Sequence, residues 1–243
     1  MKNGIFYTLA LSTALLSACD ISSGQDEDAG TGSTAGDQAD YNSYVEARND
    51  ALTVLNLIDT SEVLDAAPAD DTAQMHGTYA ISADNAFSTE LVGDMTMDVD
   101  FGNETVSGSL SNNYLDRDGT AESQVTELDG SVSFRGELDL DPNGGFYDAT
   151  NTGPWQLEAS GTGTLTDSET TTSLGTEYRL DIDLHGDFYD TSDIGTVSGV
   201  GDVGDVAAGG MIEGNLDVTT DGDTVIYDIT DQSAFFVYEL EDE

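Results

Sequence analysis

This sequence predicts an all-β chain: a water-soluble, antiparallel eight-stranded β-barrel preceded by a short helix and a disordered, lipidated tether. Three observations carry that expectation. From about His76 to Leu240 apolar and polar residues alternate with a period of two, as in strands with one face buried. The outward phase is Asp, Glu, Ser, Thr and Arg, whereas a barrel set in lipid must show an apolar band. Glycine recurs in the inward phase at positions 108, 136, 161, 163, 186 and 214, where a missing side chain permits the coiling that closes a small barrel.

Taken in order, the strands open with Tyr79 and Ile81 in the inward phase. Met95, Met97, Val99 and Phe101 follow, then Val106, Gly108 and Leu110. Next come Val132, Phe134, Gly136, Leu138 and Leu140, and Trp155, Leu157, Ala159, Gly161, Gly163 and Leu165. Tyr178, Leu180, Ile182, Leu184, Gly186 and Phe188 form the longest run, ahead of Ile212, Gly214, Leu216 and Val218. Val225, Tyr227 and Ile229, then Phe236, Tyr238 and Leu240, complete eight or nine strands. An eight-stranded barrel has room for its own side chains or one small ligand. Phe101, Phe134, Trp155, Tyr178, Phe188 and Tyr238 are expected to fill it, which leaves loops and the outer wall for binding.

Upstream of the barrel the pattern changes. Val45, Leu52, Leu55 and Ile58, with Ala47, Ala51, Val54 and Leu57 between, predict a helix over about 44–58. One short amphipathic helix is unstable alone, so it must pack on the domain that follows. Ala66 to Thr72 reads as a linker. Asp20 to about Tyr41 is Gly-, Ser-, Thr- and Asp-rich and predicts a disordered tether reaching roughly 25 Å.

The N-terminus has a three-part export pattern: Lys2, an apolar run from Ile5 to Leu16, and a small-residue cleavage site. The run falls short of the about 20 residues needed to span a hydrocarbon core. Leu16-Ser17-Ala18-Cys19 resembles the lipobox of bacterial lipoproteins. That resemblance implies cleavage before Cys19, a diacylglycerol thioether on its sulfur, and a palmitate-type acyl chain on the new amine. Cys19 is the single cysteine of the chain, so no intrachain disulfide forms. The resulting boundaries are 1–18 signal peptide, 19–43 tether, 44–72 helix and linker, and 73–243 barrel.

The charge is extreme, with 49 Asp and Glu against 5 Lys and Arg, or −44. Cleavage removes Lys2 and no acid, leaving 49 acids against 4 arginines, or −45. Such a surface repels nucleic acid, which is therefore not an expected partner. Solubility or recruitment of a cationic ligand would also use acidic residues; loss of the only lysine together with excess Asp points to a salty habitat. Salt near 1 M shortens the Debye length to about 3 Å and relieves the self-repulsion. The melting temperature is expected to rise between low salt and about 0.5 M NaCl, and a fall over that range rejects salt adaptation.

Few motifs carry chemistry. Asp139-Leu140-Asp141-Pro142-Asn143-Gly144 matches the first half of a calcium loop, but Thr150 stands where a bidentate Glu is needed, and a turn explains the same letters. Asp116-Arg117-Asp118-Gly119 and Asp221-Gly222-Asp223 read as turns. Of the two histidines, His76 and His185, the second could share a strand face with Asp183 and Asp187, as a solvated charge group or a surface metal site. Acid pairs suited to glycoside hydrolysis occur by chance among 49 acids, and no nucleophile elbow, P-loop or dinucleotide fingerprint is present. Neither an enzyme nor a cofactor is expected.

Several segments together resemble the C-terminal barrel of transferrin-binding protein B and related lipoproteins. They are Gly77-Thr78-Tyr79 opening the first strand, and Asp98 to Leu110 (DVDFGNETVSGSL) as a hairpin. The third is Gly186-Asp187-Phe188-Tyr189 ahead of the glycine-rich 195–210, with Asp190 where that family's pattern has glycine. The resemblance covers about residues 76–240 and implies a lipid-anchored barrel, usually at the outer membrane, that binds an extracellular protein or small ligand. The chain lacks the duplicated lobe of the large transferrin binders, which argues against transferrin. The expectation is thus a monomeric envelope lipoprotein with a non-catalytic binding barrel, its membrane contact made through Cys19. The alternative is a structural or accessory envelope component without a soluble ligand.

Overall fold

The computed structural model describes residues 35–58, 63–64, 68, 71–83, 89–117, 125–139, 155–167 and 176–240. Among the described residues one helix, α1 (Ala35–Leu55), precedes the strands. These are β1 (Thr72–Ser82), β2 (Thr89–Asp100), β3 (Thr105–Arg117), β4 (Val125–Asp139), β5 (Gln156–Asp167) and β6 (Glu177–Asp190). Then follow β7 (Thr196–Val197), β8 (Gly201–Thr220), β9 (Asp223–Asp228) and β10 (Ala234–Leu240). Neighbours pair antiparallel from β1 through β6, β6 pairs β8, and β10 bonds both β8 and β1. The expected closure is therefore present: eight strands form a ring, with β7 and β9 as additions at the two ends of β8.

The inward phase expected from sequence holds in β1 to β6 and in the later half of β8. Met75, Tyr79, Met95, Met97, Leu110, Leu165, Phe188 and Phe235 lie inside the ring at 0–1 % exposure. At the end nearest the start of β1, Phe101 meets Trp155 edge-on at 5.1 Å and Phe188 at 5.3 Å. Leu64 joins this cluster, held by its N–H donating to the Phe188 carbonyl at 3.0 Å, while Val63 bridges Tyr189. The ring is thus stoppered by aromatic side chains and by the segment that follows the helix.

Inward glycines sit where strands approach most closely. A Cβ on Gly136 would fall inside the carbonyl oxygen of Glu158 and the Cα of Ala159 on β5. The interior also holds one polar relay. The Tyr79 hydroxyl donates to Asn113 Oδ1 at 2.6 Å, and Asn113 Nδ2 donates to the Gly130 carbonyl at 2.8 Å. Asn113 points inward because a bulge at Ser111 and Asn112, the latter at φ 47°, shifts the β3 register and swaps its faces.

Three expectations are corrected. Tyr238 and Phe236 do not enter the ring; Phe235 and Val237 do, so the phase assigned to the last strand is reversed. Strand β10 is buried on both faces, so it has no polar phase to mark the outside. The outer wall is also not polar throughout. Tyr44, Ala51 and Val54 of α1 cover Ala80, Val92, Tyr114, Ala207, Ala234, Phe236 and Tyr238 in a second apolar cluster outside the ring. Finally, the helix begins at Ala35 rather than Tyr44, inside the segment expected to be disordered tether. Ala35, Gln38 and Ala39 are residue types of high intrinsic helix propensity.

Two smaller points follow. Gly77 lies within β1 rather than opening it, and Asp116 and Arg117 end β3 rather than forming a turn. Asp98 to Leu110 is the expected hairpin, its turn tied by Asn103 donating from N and Nδ2 to the two carboxylate oxygens of Asp100 at 2.8 and 2.7 Å. These bonds hold the Asp100 carboxyl below its usual range.

Candidate functional surface

The described interior of the ring is lined by buried apolar side chains. Away from α1 the wall exposes Asp98, Ser107, Arg135, Glu158, Thr162, Asp181 and Asp183, a surface suited to water and ions rather than to lipid. One strip departs from this pattern. Near the stoppered end Gln156 and His185 are buried, at 7 % and 8 % exposure, next to Asp187 and Tyr189. Pairing of β5 with β6 sets Gln156 opposite Asp187 and Glu158 opposite His185.

Burial pushes the Asp187 carboxyl above its usual range, with a hydrogen bond from Gln156 working against it. Burial and the Asp187 charge push the Tyr189 phenol up to about 12. Tyr189 therefore stays protonated at physiological pH and serves as a hydrogen-bonding group, not as a base.

Asp183, His185 and Asp187 do share one strand face, as expected. His185 is not solvated, however, and among the described residues no three His, Cys, Asp or Glu side chains converge as metal ligands. His76 is exposed on the outer wall. The turn at Asp221 and Gly222 is present, with both residues at positive φ (55° and 88°), joining β8 to β9. Cys19 and most of the calcium-like segment, 140–150, lie outside the described residues. Gln156 and Tyr189 were missed because burial of an outward-phase residue depends on what crosses the wall; at Tyr189 the neighbours include Val63, which bridges it, and the apolar cluster with Val197 and Val203. The only hint was the unbroken Asp187-Phe188-Tyr189 run, which lacks the usual polar outward residue at Tyr189.

Comparison of the chain with family models, with curated proteins and with solved structures finds no match in any of the three.

Proposed function

We propose that the chain is an exported lipoprotein, tethered by acyl chains on Cys19, that presents a non-catalytic β-ring for binding outside the cytoplasm. The observation that carries this reading is Leu16-Ser17-Ala18-Cys19 at the end of a short apolar run in a chain with no other cysteine. Two or three acyl chains bury enough methylene to make attachment stable. The packed interior supports recognition through the wall and loops, and the proposed kinship with transferrin-binding-protein-B-like lipoproteins fits a ring on a leash. The outer membrane is the proposed site, with the leash lifting the ring off the bilayer.

The first test is metabolic labelling with palmitate. Wild-type protein is expected to take up label and sediment with membranes, whereas Cys19→Ser loses the label and leaves the membrane fraction. Label retained on Cys19→Ser overturns the anchor. Capture from envelope and extracellular fractions with lipid-free residues 20–243 then tests binding: a soluble ligand supports it, and recovery of envelope proteins alone favours an accessory role.

A further inference from the structure

We propose that the edge of β9 left unpaired by any described strand is a strand-addition site for a basic, extended segment of a partner protein. The proposal builds on the reading of the ring as a binding module and names where and what it binds. Strand β8 runs 20 residues, long enough to pair β10 with its first part and β9 with its last. On the other side β1 stops at Ser82, and its last contact is the bridge from Ala83 to Ile229. Among the described residues, Asp223–Asp228 therefore pair only with β8.

Main-chain polarity follows from the ladder. The Ile229 N–H donates to the Gly214 carbonyl at 2.9 Å, and in an antiparallel pair such bonds recur at every second residue. Asp223, Val225 and Tyr227 thus direct N–H and C=O to β8, while Thr224, Ile226 and Asp228 direct theirs to the open side. The next such residue, Thr230, confirms the alternation by donating to the Ser82 carbonyl of β1 at 2.8 Å. An incoming strand would continue that pairing past the end of β1.

The side chains define what fits. Val225 is 50 % and Ile226 66 % exposed, with Leu57 the most solvent-accessible large apolar residues among those described. Val225 shares a face with Val218, and Ile226 lies opposite Asp217 on the other face. An added strand would place apolar residues beside both. Asp223 and Asp228 bracket the strand, Asp221 sits in the turn, and the chain carries −44 overall, so the matching segment is cationic at its ends. The same charge repels a second copy, so the brackets guard against the self-pairing that exposed edges invite. Strand addition of this kind draws affinity from main-chain bonds and specificity from alternate side chains.

The probe is a capped peptide with a valine–valine–isoleucine–threonine centre and two lysines at each end, titrated into lipid-free residues 20–243. Binding is expected, with tenfold or greater weakening in Ile226→Pro, which removes an N–H on the open side and leaves the β8 ladder intact. An aspartate-ended peptide is expected not to bind. Asp223→Asn with Asp228→Asn, which touches no main-chain bond, is expected to weaken the lysine peptide and keeps the test valid if Ile226→Pro misfolds by circular dichroism. Equal binding by wild type and a folded Ile226→Pro, or no binding by wild type, overturns the proposal. So does a wild-type dimer that Ile226→Pro converts to monomer, because the occupant would then be a second copy. Partner capture that survives Ile226→Pro overturns the edge alone, whereas no capture by wild type removes the binding role itself.

Discussion

Gly136→Val is expected to unfold the ring or strip it of most of its stability. Gly136 faces inward on β4 opposite Ala159, and a Cβ there would lie within the contact radii of the Glu158 oxygen and the Ala159 Cα. Both obstacles are backbone atoms of the adjacent strand, so no rotamer change relieves the clash. Strands β4 and β5 would have to separate at a pairing that β5 continues into β6. Overpacking of flexible side chains costs about 1–3 kcal/mol, and a backbone obstacle takes the loss to about 3 kcal/mol or beyond. Against a total of about 5–15 kcal/mol, that is decisive. Urea unfolding read by circular dichroism measures it, with Gly102→Ala as the control. A Cβ at Gly102 meets its nearest neighbour at 3.4 Å, an ordinary contact, so its midpoint should hardly move. Equal losses in the two variants would show that strand approach is not what Gly136 serves.

Asn113→Leu is expected to cost about 1–3 kcal/mol, because the buried Tyr79 hydroxyl loses its partner while the Gly130 carbonyl, on an exposed residue, loses its side-chain donor. The Tyr79 hydroxyl loses its acceptor, the Gly130 carbonyl loses its donor, and both Asn113 and Tyr79 are almost fully shielded from water. Burial already holds the Tyr79 phenol well above its ordinary range, so it remains a donor at any accessible pH and cannot escape by ionising. Tyr79→Phe alone should cost less, since only Asn113 Oδ1 is orphaned. Combined with Asn113→Leu it should give a smaller loss than the sum of the singles, because the hydroxyl that Leu strands is already gone. Strict additivity in urea midpoints would show that the two residues act independently. The relay also pins the β3 bulge whose shift places Tyr114 outside, where it packs on Tyr44 at 6.2 Å and seats α1 on the wall.

The sequence alone determined the inward faces of β1 to β6, the glycines between them and the acid-rich surface. Over most of their length those strands are wet on one side, so apolar and polar letters alternate and the alternation reports the face. Tertiary structure decided the rest. Strand β10 packs inside on Phe235 and Val237 and outside on α1, and a strand dry on both sides carries no phase for a period-two reading to detect. The helix takes its footing on an outer wall formed by β1 to β4 and β10, which its own apolar spacing does not name. Gln156, His185 and Tyr189 are buried although they stand in the outward phase, and Val225 with Ile226 is exposed on a strand that pairs, among the described residues, only with β8. In each case the deciding quantity is which chain lies across a surface, and local composition does not encode it.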